Sequence, residues 1–153
     1  MNDKTPQKTI SHSSVSYDGI VEKSDLNGYG MMHGGRLLTL CDEIGYLAAK
    51  KHAEVDCLTR AAHNVQFSSM MKENESFSIQ AKVVLTGKTT LWVACRVTNA
   101  RKTVMSAVFV FIAVDKAFKS IPVLPVQAES SQEKSEQALM QQLLDQVTEK
   151  NRA

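Results

Sequence analysis

The spacing of apolar and polar residues changes character along the chain, and each change marks an element. Over residues 9–21 β-branched and aromatic residues are diluted by serines (His12-Ser13-Ser14, Ser16), which predicts a weakly specified first strand. The stretch Asn27-Gly28-Tyr29-Gly30-Met31-Met32-His33-Gly34-Gly35 follows, and glycine at that density predicts a loop. Residues 36–53 then hold no proline and carry apolar residues at 37, 38, 40, 41, 44, 47, 48 and 49, a helix apolar around most of its circumference and therefore largely buried.

Period-2 alternation takes over after the helix. Thr59, Ala61, His63, Val65 and Phe67 share one side of a strand over 58–68. Phe77, Ile79, Ala81, Val83 and Leu85 alternate with polar residues, as do Leu91, Val93, Cys95 and Val97. The Gly87-Lys88 turn between those two runs predicts an antiparallel hairpin. Residues 104–114 are apolar on both faces, the mark of a central strand or one lying under a second layer. A single buried helix can be covered only by a sheet wrapped around it. The order predicts an α+β fold with one helix against a five-stranded antiparallel sheet, whose under-covered surfaces favour dimers or larger assemblies. Past Pro122 and Pro125, Ser130-Ser131-Gln132-Glu133 fits a capping box, and Met140, Leu143, Leu144 and Val147 fall at helical spacing. This predicts an amphipathic C-terminal helix docked on the body or on a neighbouring subunit.

Composition narrows the class. With 153 residues, 43% hydrophobic and 22% charged, the chain is one globular domain that needs neither disulfides nor metal to fold. Cys41, Cys57 and Cys95 cannot all pair, so a reducing compartment fits them. No apolar run is long enough to span a membrane, and the polar start carries no signal-peptide core, so the chain reads as soluble and cytoplasmic. The net charge of +2 does not call for nucleic acid; it divides into a mildly basic body and an acidic tail over 126–153, which suits a phosphorylated small molecule or no partner at all.

Several chemistries find no support. G-x-S-x-G, H-E-x-x-H and P-loop patterns are absent, and His12, His33, His52 and His63 share no i, i+4 spacing, so no metal site is expected. The cysteines lie in apolar surroundings, where a thiol is inert. Asp42 stands out instead. It is rotated off the polar stripe of Thr39, Glu43 and Lys50, with Leu38, Gly45 and Tyr46 as neighbours. A carboxylate there is paired, caps a loop, or is used; burial would raise its pKa toward that of a general base. Gly34-Gly35 at the helix start leaves backbone N–H groups that either polarise a carbonyl or serve only a tight turn. Arg36 opposes the helix dipole and so calls for an anion or an acidic partner. Asn27 either orients a water or carbonyl, or is an ordinary turn asparagine.

Taken together, Asn27, the loop, Gly34-Gly35 and Asp42 seven residues after the second glycine resemble the hotdog-fold acyl-CoA thioesterases. Thr59 with Phe67, Gly87-Lys88-Thr89-Thr90, and Phe109 through Asp115 to Pro122 match the family's later landmarks in order. Two departures stand out: Asn74-Glu75 takes the place of a Gly-Asp pair, and Arg36 that of an aromatic. The resemblance implies a helix wrapped by a curved sheet, dimers whose sheets join, commonly trimers of dimers, and a site at the dimer interface. Within it Asp42 would activate water or attack directly, Asn27 of the other subunit would position water or carbonyl, and the Gly35 N–H would stabilise the oxyanion. Gly34 and Thr59 fall at the substrate. Gly87, Lys88, Thr89 and Thr90 fall where the family contacts CoA, with Lys88, Arg101 and Lys102 as bases for its phosphates.

The expected reaction is hydrolysis of acyl-CoA to a free acid and CoA, without metal or other cofactor, in a hotdog domain over 9–125 between a flexible start (1–8) and the C-terminal helix. Other thioesters, such as those of acyl-carrier protein, enoyl-thioester hydration, and acyl-CoA sensing without catalysis are the alternatives.

Overall fold

The computed structural model describes residues 7–152; residues 1–6 of the expected flexible start lie outside the described residues. The expected first strand is broken in three: β1 (Lys8–Thr9), a one-turn helix α1 (Ile10–Ser13) and β2 (Val15–Ile20). The serines and threonine are the reason, since their hydroxyls bond locally and compete with a ladder. Thr9 Oγ1 accepts from the His12 N–H at 3.1 Å, and the buried Ser13 Oγ donates to the Ile10 carbonyl while accepting from the Val83 N–H, both at 2.8 Å.

Helix α2 (Gly34–Ala53) starts two residues before the expected boundary. It buries Leu37, Leu40, Cys41, Ile44, Gly45, Ala48, Ala49 and His52, an i, i+3, i+4, i+7 stripe against all five long strands. It is not apolar-buried all round: Leu47 is 46% exposed and Thr39 and Glu43 lie open, because the sheet covers only one side.

The strands β3 (Asp56–Phe67), β4 (Ser76–Thr86), β5 (Thr90–Asn99) and β6 (Lys102–Val114) join β2 in one antiparallel sheet of order β2-β4-β5-β6-β3. The expected β4–β5 hairpin forms, closed by the Gly87 N–H on the Thr90 carbonyl at 2.9 Å. Strand β6 is interior to the sheet, as its two apolar faces require, and β3 is a free edge interrupted by two bulges. A bulge in β4 buries both Val83 and Val84. Asn74, in the place of the family's glycine, takes φ 72°, a left-handed conformation that asparagine tolerates better than most residues.

A two-residue strand β7 (Val126–Gln127) pairs in parallel with β1, and α3 (Ser131–Arg152) follows. Its capping box is present: Glu133 N–H donates to Ser130 Oγ at 3.0 Å and Ser130 N–H to Glu133 Oε1 at 3.1 Å. The helix docks on its own sheet through buried Met140, the Lys82–Glu136 pair at 2.7 Å and Gln137 Nε2 on the Val84 carbonyl at 3.1 Å. The result is a hotdog fold with a helical second layer. No described helix is long and apolar enough to cross a membrane.

Candidate active site

Asp42 projects from the middle of α2 toward the free edge of the sheet, where Thr59 Oγ1 donates to its Oδ1 at 2.7 Å. The carboxylate is half-buried rather than enclosed, since β3 is the last strand of the sheet among the described residues. Its Oδ2 has no hydrogen-bond partner among the described residues. Thr59 sits directly before the first bulge of β3 and opposite Phe111, whose buried ring packs beneath Gly45.

Asn27 is held by its own loop. Its Oδ1 accepts from the N–H groups of Tyr29 at 2.8 Å and Met31 at 3.1 Å. Backbone N–H groups only donate, so these bonds fix the amide with Nδ2, a donor, facing away from the loop. No hydrogen bond among the described residues joins Asn27 to Asp42. The loop tip stands clear of the body: Tyr29 is 90% exposed, and Gly30 takes φ +75°, which few other residues accept.

The Gly35 N–H is already occupied: it donates to His33 Nδ1 at 3.0 Å, making His33 the N-cap of α2. The ring lies so close that a Cβ on Gly35 would stand 2.9 Å from His33 Cε1. The position needs glycine for its own cap, a use that the sequence alone did not suggest. A Cβ on neighbouring Gly34 would stand 3.3 Å from the Phe67 ring. Arg36 meets an acidic partner within the chain, Nε to Asp25 Oδ1 at 3.2 Å.

Gly87, Lys88, Thr89 and Thr90 lie at the same end of the sheet as Thr59. Thr90 faces Ile112, Ile112 faces Leu58, and β6 alone separates β5 from β3. Arg101 and Lys102 do not join them. They lie at the β5–β6 turn, and the ten residues of β5 put about 33 Å between the two turns, so one chain cannot bring both to the same phosphates. Among the described residues no three His, Cys, Asp or Glu gather as metal ligands. Burial pushes the Cys57 thiol up to about 11; hydrogen bonding of the Cys95 thiol, as donor, to the Cys41 side chain, then burial, raise that of Cys95, so neither supplies a thiolate.

The sequence profile of the thioesterase superfamily matches residues 29–106, just over half of the chain and the span from the loop through β5 into β6. The chain belongs to the thioesterase superfamily. Among its relatives are the human cytosolic acyl coenzyme A thioester hydrolase, 23% identical over 134 residues, and an uncharacterized acyl-CoA thioester hydrolase of Bacillus subtilis, 24% identical over 137 residues. The match to the human protein takes in 82% of this chain but 35% of that one, so the chain spans about a third of the first curated relatives; for the B. subtilis protein the shares are 85% and 80%. A hexameric acyl-CoA thioesterase superposes with a TM-score of 0.89 at 26% identity, covering 97% of this chain and 99% of that one. An acyl-CoA hydrolase of Staphylococcus aureus, solved with butyryl coenzyme A, coenzyme A and coenzyme A disulfide, does so at 0.81 and 24%, covering 95% and 93%. Solved variants of that enzyme replace an Asn, an Asp and a Thr by Ala, at the same two intervals that separate Asn27, Asp42 and Thr59.

Proposed function

We propose that this thioesterase-superfamily chain hydrolyses acyl-CoA, giving a free acid and CoA, at a site completed by a second copy. The observation that carries the reading is the Asp42 carboxylate, held through Oδ1 by Thr59 and open at Oδ2 on the rim of the sheet. Oδ2 takes a proton from water as the water oxygen bonds to the thioester carbonyl carbon. The tetrahedral intermediate then expels the CoA thiolate, which recovers the proton from Asp42. The Asn27 amide of the second copy donates from Nδ2 to the water or the carbonyl. The Gly35 N–H serves the oxyanion once the exposed His33 ring swings off it.

Support for the second copy comes from the uncovered edge of β3, from the lack of a hydrogen bond between Asn27 and Asp42 among the described residues, and from exposed Leu58, Phe67 and Met70. A dimer that continues the sheet across β3, repeated as a trimer of dimers, is the assembly proposed; the hexameric relative supports it. The turn Gly87–Thr90 holds CoA, with Lys88 exposed toward its phosphates. Residues 9–125 form the catalytic unit, and three free cysteines suit the cytoplasm.

Release of free CoA from short- to long-chain acyl-CoAs tests the reading. Wild type hydrolyses at least one ester, and Asp42→Asn loses about 10²-fold or more, the span of a lost general base. Hydrolysis that survives Asp42→Asn rejects the assignment. Tight acyl-CoA binding without hydrolysis makes the chain a sensor.

A further inference from the structure

Residues 121–126 run as a strap beside the Gly87–Thr90 turn and are bonded to it or its flanks at several points. The Val123 N–H donates to the Lys88 carbonyl at 2.9 Å, and the Val126 N–H to Thr86 Oγ1 at 3.1 Å. The Ile121 N–H donates to the Ala113 carbonyl at 2.9 Å, and Ala113 in turn donates to the Thr89 carbonyl at 3.0 Å. The turn is therefore held by the strap as well as by its own hairpin.

The strap is latched from its other side by His52, in the last turn of α2. His52 is 1% exposed, and its Nε2 lies 2.7 Å from the Leu124 carbonyl. A carbonyl only accepts, so Nε2 carries the proton and the bond is a donation from ring to strap. Nδ1 is buried with no partner among the described residues, a cost that a leucine or phenylalanine filling the same space would avoid. The charged and titratable groups around the ring are Lys8, which donates to the His52 carbonyl and pairs with Glu54, and His12. Lys8 makes a second, indirect tie, its N–H donating to the Pro125 carbonyl at 3.1 Å and its Nζ to the His52 carbonyl, while the ring is the direct side-chain link from α2 to Leu124. Asp42 lies on the same helix, about 15 Å from His52 at 1.5 Å per residue.

We propose that His52 is a positioning residue: through Leu124 it registers the turn Gly87–Thr90 against the helix that bears Asp42, and so governs how well CoA is held without touching it. The inference rests on the assignment of that turn to CoA. His52→Leu keeps the apolar volume and removes the donor; His52→Gln keeps a donor. Each is measured for CoA affinity by calorimetry, and for hydrolysis of an acyl-CoA and of the N-acetylcysteamine thioester of the same acid, which lacks the nucleotide. His52→Leu weakens CoA binding and raises KM for acyl-CoA about tenfold, roughly one lost hydrogen bond, with kcat and the truncated ester within about twofold of wild type. His52→Gln returns CoA affinity toward wild type.

Val123→Pro, which removes the donor to Lys88, produces the same split and serves if His52→Leu does not fold. Unchanged CoA affinity in a folded His52→Leu overturns the inference, as does unchanged affinity in Val123→Pro where His52→Leu does not fold, or an equal fall on both esters, which marks general loosening. Wild type that binds CoA but hydrolyses nothing overturns the hydrolytic reading alone, and the affinity comparison still decides on His52. Wild type that does neither overturns both.

Discussion

Thr59 and Asp42 are 17 residues apart in the chain and 2.7 Å apart in space, joined by one donation from Oγ1 to Oδ1. That bond is the only one the carboxylate makes among the described residues, so it alone restrains the rotamer. A hydrogen bond to a charged group contributes about 1.5–3 kcal/mol. Thr59→Val, which keeps the shape, should lower kcat for acyl-CoA by about 10- to 10²-fold with KM little changed, and Thr59→Ser should recover most of it. Steady-state kinetics check this; equal rates for Val and wild type would mean that Asp42 needs no anchor.

The cap of α2 uses the same Gly35 N–H that is proposed for the oxyanion, and its contribution to stability can be read without turnover. His33→Ala removes the acceptor for the Gly35 N–H and should destabilise the fold by about 1 kcal/mol, while His33→Asn, a good cap, should not. Thermal unfolding should show a loss of about 2–4 °C for Ala only. Gly35→Ala should cost at least as much, because its Cβ would fall 2.9 Å from the ring and evict it.

Acid should loosen the molecule through His52. Burial holds this imidazole below its ordinary pKa, against the opposing hydrogen bond to Leu124. The folded state thus binds fewer protons than the unfolded one, and stability rises with pH. The contribution is complete above the unfolded-state value of about 6.5 and erodes as pH falls below it, by at most about 1.4 kcal/mol per pH unit. Urea unfolding at pH 7.5 and 5.5 should show wild type losing more stability on acidification than His52→Gln. Equal losses would assign the acid sensitivity elsewhere.

The β5–β6 turn stores strain that substitution can release. Ala100 and Arg101 take φ 46° and 70°, where each non-glycine residue costs about 1–2 kcal/mol. Replacing the pair with Asn-Gly suits two successive positive φ values and should raise the melting temperature by about 2–4 °C per kcal/mol released. An unchanged melting temperature would show that the strain is already compensated.

Much of this architecture was legible in local spacing. Alternation at period 2 marked β4 and β5 because each side chain's face depends on its immediate neighbours. The glycine-dense loop and the uninterrupted run after it located α2 to within two residues, and Ser130 with Glu133 announced the start of α3. The spacing of Asn27, Gly35 and Asp42 also marked the candidate site. The stretch before β2 was less legible, since short hydroxyl side chains bond to the backbone wherever the tertiary setting offers a partner, as Ser13 does with Val83.

The contacts that build the site depend on register between distant segments. It put Thr59 on Asp42, the Leu124 carbonyl on His52, and Lys88 at the opposite end of β5 from Arg101. It also left Asp42 half-buried at a sheet edge where the residues around it on the helix suggested enclosure. The elements and the residue types available for chemistry follow from local spacing, because periodicity acts over a few bonds. Which of those residues meet was decided by how the strands pair and where the sheet ends, since no local spacing encodes a contact across it.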